Sequence, residues 1–215
     1  MSKLAEIQVL IADDHAVVRR GLKQIVADAA GIVVAGEAAN GDELMRLVQE
    51  RPWDVLILDI SMPGRSGLEL LKDVKLERPE LPVLIFSIHS EAEFATRSLR
   101  SGASGYLPKE SAPEELITAI RKIHAGGRYI SSAQAEKLLF QFQSDSTRPL
   151  HEDLSNREYE VLRALGAGKT ISQIAAQLNL SIKTISTYRA RLLEKMNLQN
   201  TAELTRYAIK NNLAY

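Results

Sequence analysis

The sequence predicts an α/β flavodoxin-like, doubly wound parallel sheet of five strands, followed by an all-α, four-helix helix-turn-helix domain. Three observations predict it. Between Ile7 and about Ala125, five short apolar runs alternate with five stretches of helical periodicity. The runs are nearly continuous in apolar residues, as strands covered by helices on both faces must be. Beyond about residue 150 every apolar pattern has helical spacing, and two helical stretches are separated only by Asn179-Leu180.

The elements follow in order. Strand Ile7–Ala12 precedes a helix over His15–Ala29, with Val17, Val18, Leu22, Ile25 and Val26 at helical spacing. Strand Ile32–Ala38 and helix Gly41–Glu50 come next, then strand Val55–Leu58 and helix Gly67–Glu77. Strand Val83–Phe86, helix Ala92–Ser101, strand Ser104–Leu107 and helix Pro113–Ala125 complete the alternation. Right-handed crossovers leave few topologies for five such units. Gly126-Gly127 stops the last helix. The expected domains are residues 5–125, a linker over 126–153 with a short helix at Ser132–Phe142, and a helical domain over 154–213. In the last, Ser155 and Glu158 form a capping box ahead of helix Leu154–Gly166. Thr170–Leu178, Ser181–Met196 and Thr201–Asn211 follow, the last opening on Thr201.

Composition narrows the class. Hydrophobic residues make up 45% of the 215, enough for real cores, and cysteine is absent. That excludes disulfides and thiolate metal sites and fits a reducing cytoplasm. No window reaches the roughly 18 apolar residues of a membrane span, so no membrane partner is expected. Lys3 and Glu6 at the start argue against a signal peptide. The net charge of zero divides into −3 over residues 1–149 and +3 over residues 150–215. A basic C-terminal module points to nucleic acid.

The strand ends carry the chemistry. Asp13-Asp14 follow the first strand, Asp59 the third, Ser87 the fourth and Lys109 the fifth. In a parallel sheet these positions emerge at one edge, where α/β folds place their sites. Three carboxylates, a hydroxyl and an ammonium suit a divalent cation and a phosphoryl group on Asp59. Mg2+ takes one or two carboxylates, a carbonyl and waters. Asp14 and Asp59 are the expected ligands, with the Ser61 backbone carbonyl, and Asp13 in the outer shell. Lys109 and Ser87 would meet phosphoryl oxygens. Asp13-Asp14-His15 also invites a zinc reading. It is set aside here because three neighbours should point in different directions and no second His lies nearby in sequence.

These pieces resemble the receiver domain of two-component response regulators. The similarity is carried by Val9 to His15, Leu56 to Gly64, Leu84 to Ser87 and Gly105 to Lys109, within about residues 5–125. It implies that Asp59 accepts phosphate from a sensor histidine kinase. It also implies that Ser87 and Tyr106 are a switch pair, reshaping the surface from Ser90 to Ala125. Ile88 stands where a small residue is frequent and should hinder access of donor and water.

In the C-terminal module, Ile185, Leu192 and Met196 share one face of a helical wheel, while Lys183, Thr187, Ala190 and Glu194 lie opposite. Lys183, Arg191 and Lys195 could neutralise phosphates. Thr184, Ser186, Thr187 and Ala190 could approach bases in a major groove. Leu154 to Glu158, Gly168 to Ala175 and Leu180 to Tyr188 resemble the LuxR-type DNA-binding domain, over about residues 150–213. Gly168-Lys169-Thr170 is no P-loop, because no strand precedes it.

Joined in this order, the modules resemble a NarL/FixJ-type regulator. The resemblance implies phosphorylation-controlled binding to double-stranded DNA; one mechanism for it has the receiver mask Ser181–Met196 until phosphorylation at Asp59 releases that contact and favours a homodimer. A phosphoaspartyl phosphatase or phosphotransferase is the alternative of another class. Those enzymes place a second Asp two residues after the nucleophile as general acid, where this chain has Ser61. A constitutive DNA binder with a silent receiver is the third reading. No enzymatic activity is expected beyond self-phosphorylation and slow self-dephosphorylation.

Overall fold

Six parallel strands in the order β2-β1-β3-β4-β5-β6 form the sheet of this computed structural model, which describes residues 6–62, 67–88, 92–131, 135 and 149–214. The chain divides into two compact units, Met1–Asp145 and Ser146–Tyr215. In the first, β1 (Ile7–Ala12), α1 (Ala16–Ala27), β2 (Ile32–Ala38), α2 (Gly41–Glu50), β3 (Val55–Leu58) and α3 (Gly67–Glu77) alternate. They are followed by β4 (Val83–Ser87), α4 (Ala92–Arg100), β5 (Gly105–Pro108), α5 (Pro113–His124) and β6 (Tyr129–Ile130).

Every residue of β3 and β4 is buried, which is why these runs are apolar throughout. Val9, Ile11, Ile57, Leu84, Phe86 and Leu107 form one core cluster with Leu22 and Val26 of α1 and Leu116, Ile120 and Ile123 of α5. Alternation along the strands sends Ile85, Ser87 and Tyr106 to the opposite face.

The five-strand expectation needs one correction. Tyr129–Ile130 adds a sixth strand, parallel to β5, within the segment assigned to the linker. Gly105 makes this possible: a Cβ there would lie 2.9 Å from the Tyr129 carbonyl oxygen. Two residues are too short for any periodicity to announce. The short helix expected at Ser132–Phe142 lies largely outside the described residues, and the Ser144–Arg148 part of the linker wholly so.

The second unit has a 3₁₀ turn, Leu150–Asp153, and helices α6 (Asn156–Gly166), α7 (Ile171–Gln177), α8 (Ile182–Lys195) and α9 (Thr201–Lys210). The Ser155–Glu158 capping box forms as expected. The turn between α7 and α8 is short because Asn179 takes a left-handed conformation, φ 51°. Asn tolerates that region better than most side chains. Asn197 and Asn212 end α8 and α9 in the same way, at φ 51° and 55°. The cap of α9 is Asn200, whose Oδ1 accepts from the Glu203 amide at 3.0 Å, rather than Thr201. Thr201 instead accepts from Arg189 Nε at 2.6 Å. Among the described residues no helix is long and apolar enough to cross a membrane.

Candidate functional site

The strand order reverses between β1 and β3, the place where open α/β sheets leave a crevice at their carboxyl ends. Asp13 and Asp14 leave β1 there, and Asp59 leaves β3. The Asp59 amide donates to the Ala12 carbonyl at 2.8 Å, so the two loops are zipped together at their roots. Asp13 and Asp59 are both buried.

Lys109, at the end of β5, reaches across. Its Nζ donates to Asp13 Oδ2 at 2.6 Å and to Asp59 Oδ2 at 2.8 Å. Its own amide is fixed by the Ser87 carbonyl at 2.7 Å. Burial raises the pKa of Asp59, and the nearby Lys109 ammonium only partly offsets it. Burial works against the Lys109 charge too, but the Asp59 and Asp13 carboxylates outweigh it and hold the lysine pKa above its ordinary value. One ammonium among three carboxylates leaves the cluster short of positive charge.

The remaining carboxylate oxygens are differently held. Asp59 Oδ1 accepts from the Ser61 amide at 3.0 Å, and Asp13 Oδ1 from the His15 amide at 2.8 Å. Asp14 Oδ1 is shielded from solvent and accepts no hydrogen bond among the described residues. A buried carboxylate oxygen without a donor is costly unless a cation meets it. The donor set therefore fits a divalent ion. Donor atoms of Asp13, Asp14, His15 and Asp59 all lie within 4.8 Å of one another. The expectation that Asp13, Asp14 and His15 would diverge is thus overturned. The strand ends at Ala12 and α1 starts only at Ala16, so the chain turns between them and gathers the three side chains.

Ser87 and Tyr106 are wholly buried on one face of the sheet, Ser87 opposite Pro108 and Tyr106 opposite Ile85 in register. Ile88 is 62% exposed. Ser90, Pro63 and Gly64 lie outside the described residues. Two contributors went unread in the sequence. Arg19 Nη1 donates to the Asp13 carbonyl at 2.7 Å and so braces the loop. Gly67 opens α3 so close beneath Asp59 that a Cβ would stand 2.2 Å from Ile60 Cα and 2.7 Å from the Asp59 carbonyl oxygen. An Arg at helical spacing and a Gly before an apolar run carry no distinctive signal.

In the second unit, Ile185, Leu192 and Met196 are buried, and Lys183, Ser186, Thr187, Ala190 and Arg191 are exposed on α8. The Ser186 hydroxyl donates to the Ile182 carbonyl at 2.9 Å and the Thr187 hydroxyl to the Lys183 carbonyl at 3.0 Å. Both are thereby left as acceptors facing outward. Thr184 is half-buried, with its hydroxyl 2.7 Å from that of Ser181, the cap of α8. Lys195 is exposed as well, and its Nζ donates to Glu158 Oε2 at 2.7 Å. Burial alone would raise the Glu158 pKa, but Lys195 and the Ser155 amide and hydroxyl overcome it and hold it below the ordinary glutamate value.

The family model of the response regulator receiver domain matches residues 9–121, and that of the bacterial regulatory proteins of the luxR family matches residues 152–208. This chain belongs to the response regulators. The response regulator UvrY of Escherichia coli K12 is 36% identical over 208 residues, covering 96% of this chain and 95% of its own. The response regulator GacA of Pseudomonas aeruginosa is 35% identical, covering 96% and 97%. Among solved structures, the response regulator RcsB of Salmonella typhimurium matches with a TM-score of 0.67 and 27% identity, over 98% of this chain and 100% of that one. RcsB of Salmonella enterica serovar Typhimurium, bound to the rprA promoter with the phosphomimetic BeF3-, matches with a TM-score of 0.65 and 28% identity, over 94% and 98%. The response-regulator pattern thus spans both units, the acidic cluster in the first and the exposed face of α8 in the second.

Proposed function

We propose that this response regulator is a transcription factor whose binding to double-stranded DNA is controlled by phosphorylation of Asp59. The observation that carries the reading is the placement of Asp59. Its carboxylate is 1% exposed, stands at the switch point of the sheet, and lies 2.8 Å from the Lys109 ammonium.

Asp59 acts as nucleophile on a phosphoryl donor, for which a sensor histidine kinase is the natural source. A carboxylate oxygen forms a bond to phosphorus, the donor's bond to phosphorus breaks, and the leaving group departs with that electron pair. Mg2+ held by Asp14, Asp59 and the Ser61 carbonyl, with Asp13 behind, would neutralise phosphoryl charge. Lys109 meets one phosphoryl oxygen as a point charge, and the Ser87 hydroxyl another. The Ser87 movement frees space for the Tyr106 ring, which couples the site to the surface formed by α4, β5 and α5. Dimerisation of the phosphorylated chain would pair two α8 helices on half-sites of a cytoplasmic duplex. With Ser61 in place of a second acid, the site lacks the general acid that turnover beyond slow self-dephosphorylation would use.

The test compares DNA affinity and mass in solution for the native chain and Asp59→Ala, each with and without a small phosphodonor plus Mg2+. A donor-dependent rise in dimer and in affinity, seen only with Asp59 present, is the expected result. Equal binding in all four samples would establish a constitutive DNA binder instead.

A further inference from the structure

His15 occupies the cap position of α1, yet its imidazole makes no capping hydrogen bond. The ring turns to the carboxylates instead. His15 Nδ1 lies 3.0 Å from Asp14 Oδ1 and 3.3 Å from Asp13 Oδ1. Among the described residues Asp14 Oδ1 nevertheless accepts no hydrogen bond, so the 3.0 Å approach is an ion-pair contact at most. Donors bound at about 2.1 Å on adjacent corners of an octahedron stand about 3.0 Å apart. The 3.0 Å separation of His15 Nδ1 and Asp14 Oδ1 lets the two sit on adjacent corners around one ion, and the donor atoms of Asp13, Asp14, His15 and Asp59 all lie within 4.8 Å of one another. Lys109 holds Asp13 Oδ2 and Asp59 Oδ2, while the Oδ1 atoms of these carboxylates accept from the His15 and Ser61 amides and retain a further lone pair.

We propose that His15 is a protein ligand of this site, and that it shifts the preference of the site from Mg2+ toward divalent transition ions of the Mn2+ and Zn2+ class. The proposal rests on the reading of the acidic cluster as a cation site. Mg2+ seeks oxygen and keeps its waters, and it gains little from an imidazole. Transition ions accept imidazole readily, so one nitrogen among carboxylates separates the two classes. The consequence is a phosphoacceptor site whose occupancy reports which divalent ion is abundant, with the nitrogen displacing one water.

The experiment uses the full chain at one fixed pH. Mn2+ and Mg2+ affinities are measured by calorimetry for the native chain, His15→Ala and His15→Ser, the serine variant preserving a cap for α1. Bound Mn2+ is also read by pulsed electron paramagnetic resonance for coupling to an imidazole nitrogen. The native chain is expected to show that coupling, and both variants to lose it. The Mn2+-over-Mg2+ preference should fall roughly tenfold in the variants, almost all of it in the Mn2+ affinity. An unchanged preference with no nitrogen coupling in the native chain would overturn the proposal and leave the Mg2+ site intact. Failure of the native chain to bind either ion would overturn both the proposal and the cation site it rests on.

Discussion

Lys195 Nζ donates to Glu158 Oε2 at 2.7 Å, tying the last turn of α8 to the first turn of α6. The same oxygen accepts from the Ser155 amide at 2.8 Å in the capping box. One carboxylate therefore fixes both a helix start and the far end of the helix that presents the basic face. Lys195 is exposed like Lys183 and Arg191, but it also makes this architectural contact.

Salt dependence separates these roles. Lys183→Ala and Arg191→Ala should each reduce the slope of log affinity against log salt by about 0.9, the value for one phosphate contact. Lys195→Ala should change the slope much less. It should instead lower hydrogen-exchange protection of α6 and α8 by about 0.5–1 kcal/mol, a figure kept small because the lysine is 45% exposed. Binding titrations at several salt concentrations decide the matter.

Glu158 also sets a pH dependence. Its pKa is lowered in the folded state. Its contribution to stability is therefore complete above the ordinary glutamate range and is lost as pH falls through the lower folded value. Acid titration followed by exchange protection of α6 amides should show that loss, and Glu158→Gln should remove it. An α6 whose protection falls equally with acid in both chains would assign the effect to other groups.

Asp59→Asn is expected to abolish phosphorylation and to stabilise the first unit. The raised pKa of Asp59 means that stability declines as pH rises from the ordinary aspartate range through the higher folded value, leaving the ionised form unfavourable at neutral pH. Removing that charge should stabilise the unit by an amount on the order of 1 kcal/mol, read as a higher melting transition. Mg2+ should stabilise the native chain by about 1.4 kcal/mol per tenfold excess over its Kd, and the variant less. Calorimetric scans with and without Mg2+ read both effects.

Gly67→Ala tests the packing beneath the site. A Cβ 2.2 Å from Ile60 Cα forces backbone to move. A loss of about 1–3 kcal/mol is expected, the usual cost of overpacking. Because the displaced strand end carries Asp59, phosphorylation by a small donor should slow by more than the stability change explains. A variant of reduced stability but native phosphorylation rate would show that the loop yields elsewhere.

Much of this was legible in the chain. Periodicity 2 against 3.6, apolar runs ending in Asp, Ser and Lys, and glycine stops located the β/α units and the converging side chains. The Ser155–Glu158 box was readable because both partners are local. What escaped reading was mostly non-local or very short. Tyr129–Ile130 is a strand only because Gly105 lets it approach. Gly67 matters because Ile60 passes under it. The pairing of Lys195 with Glu158, 37 positions away, has no local signal.

The two modules, the parallel sheet and the identity of the charged cluster follow from the order of residues alone, since hydrophobic period and chain connectivity dictate which residues leave a sheet at one edge. How those charges are shared is a matter of packing. It set Lys109 between Asp13 and Asp59 and turned the His15 ring toward Asp14. Those relationships depend on distances of a few ångströms between residues brought together by packing, and electrostatic interaction falls off too steeply with distance and solvent exposure to be read from order along a chain.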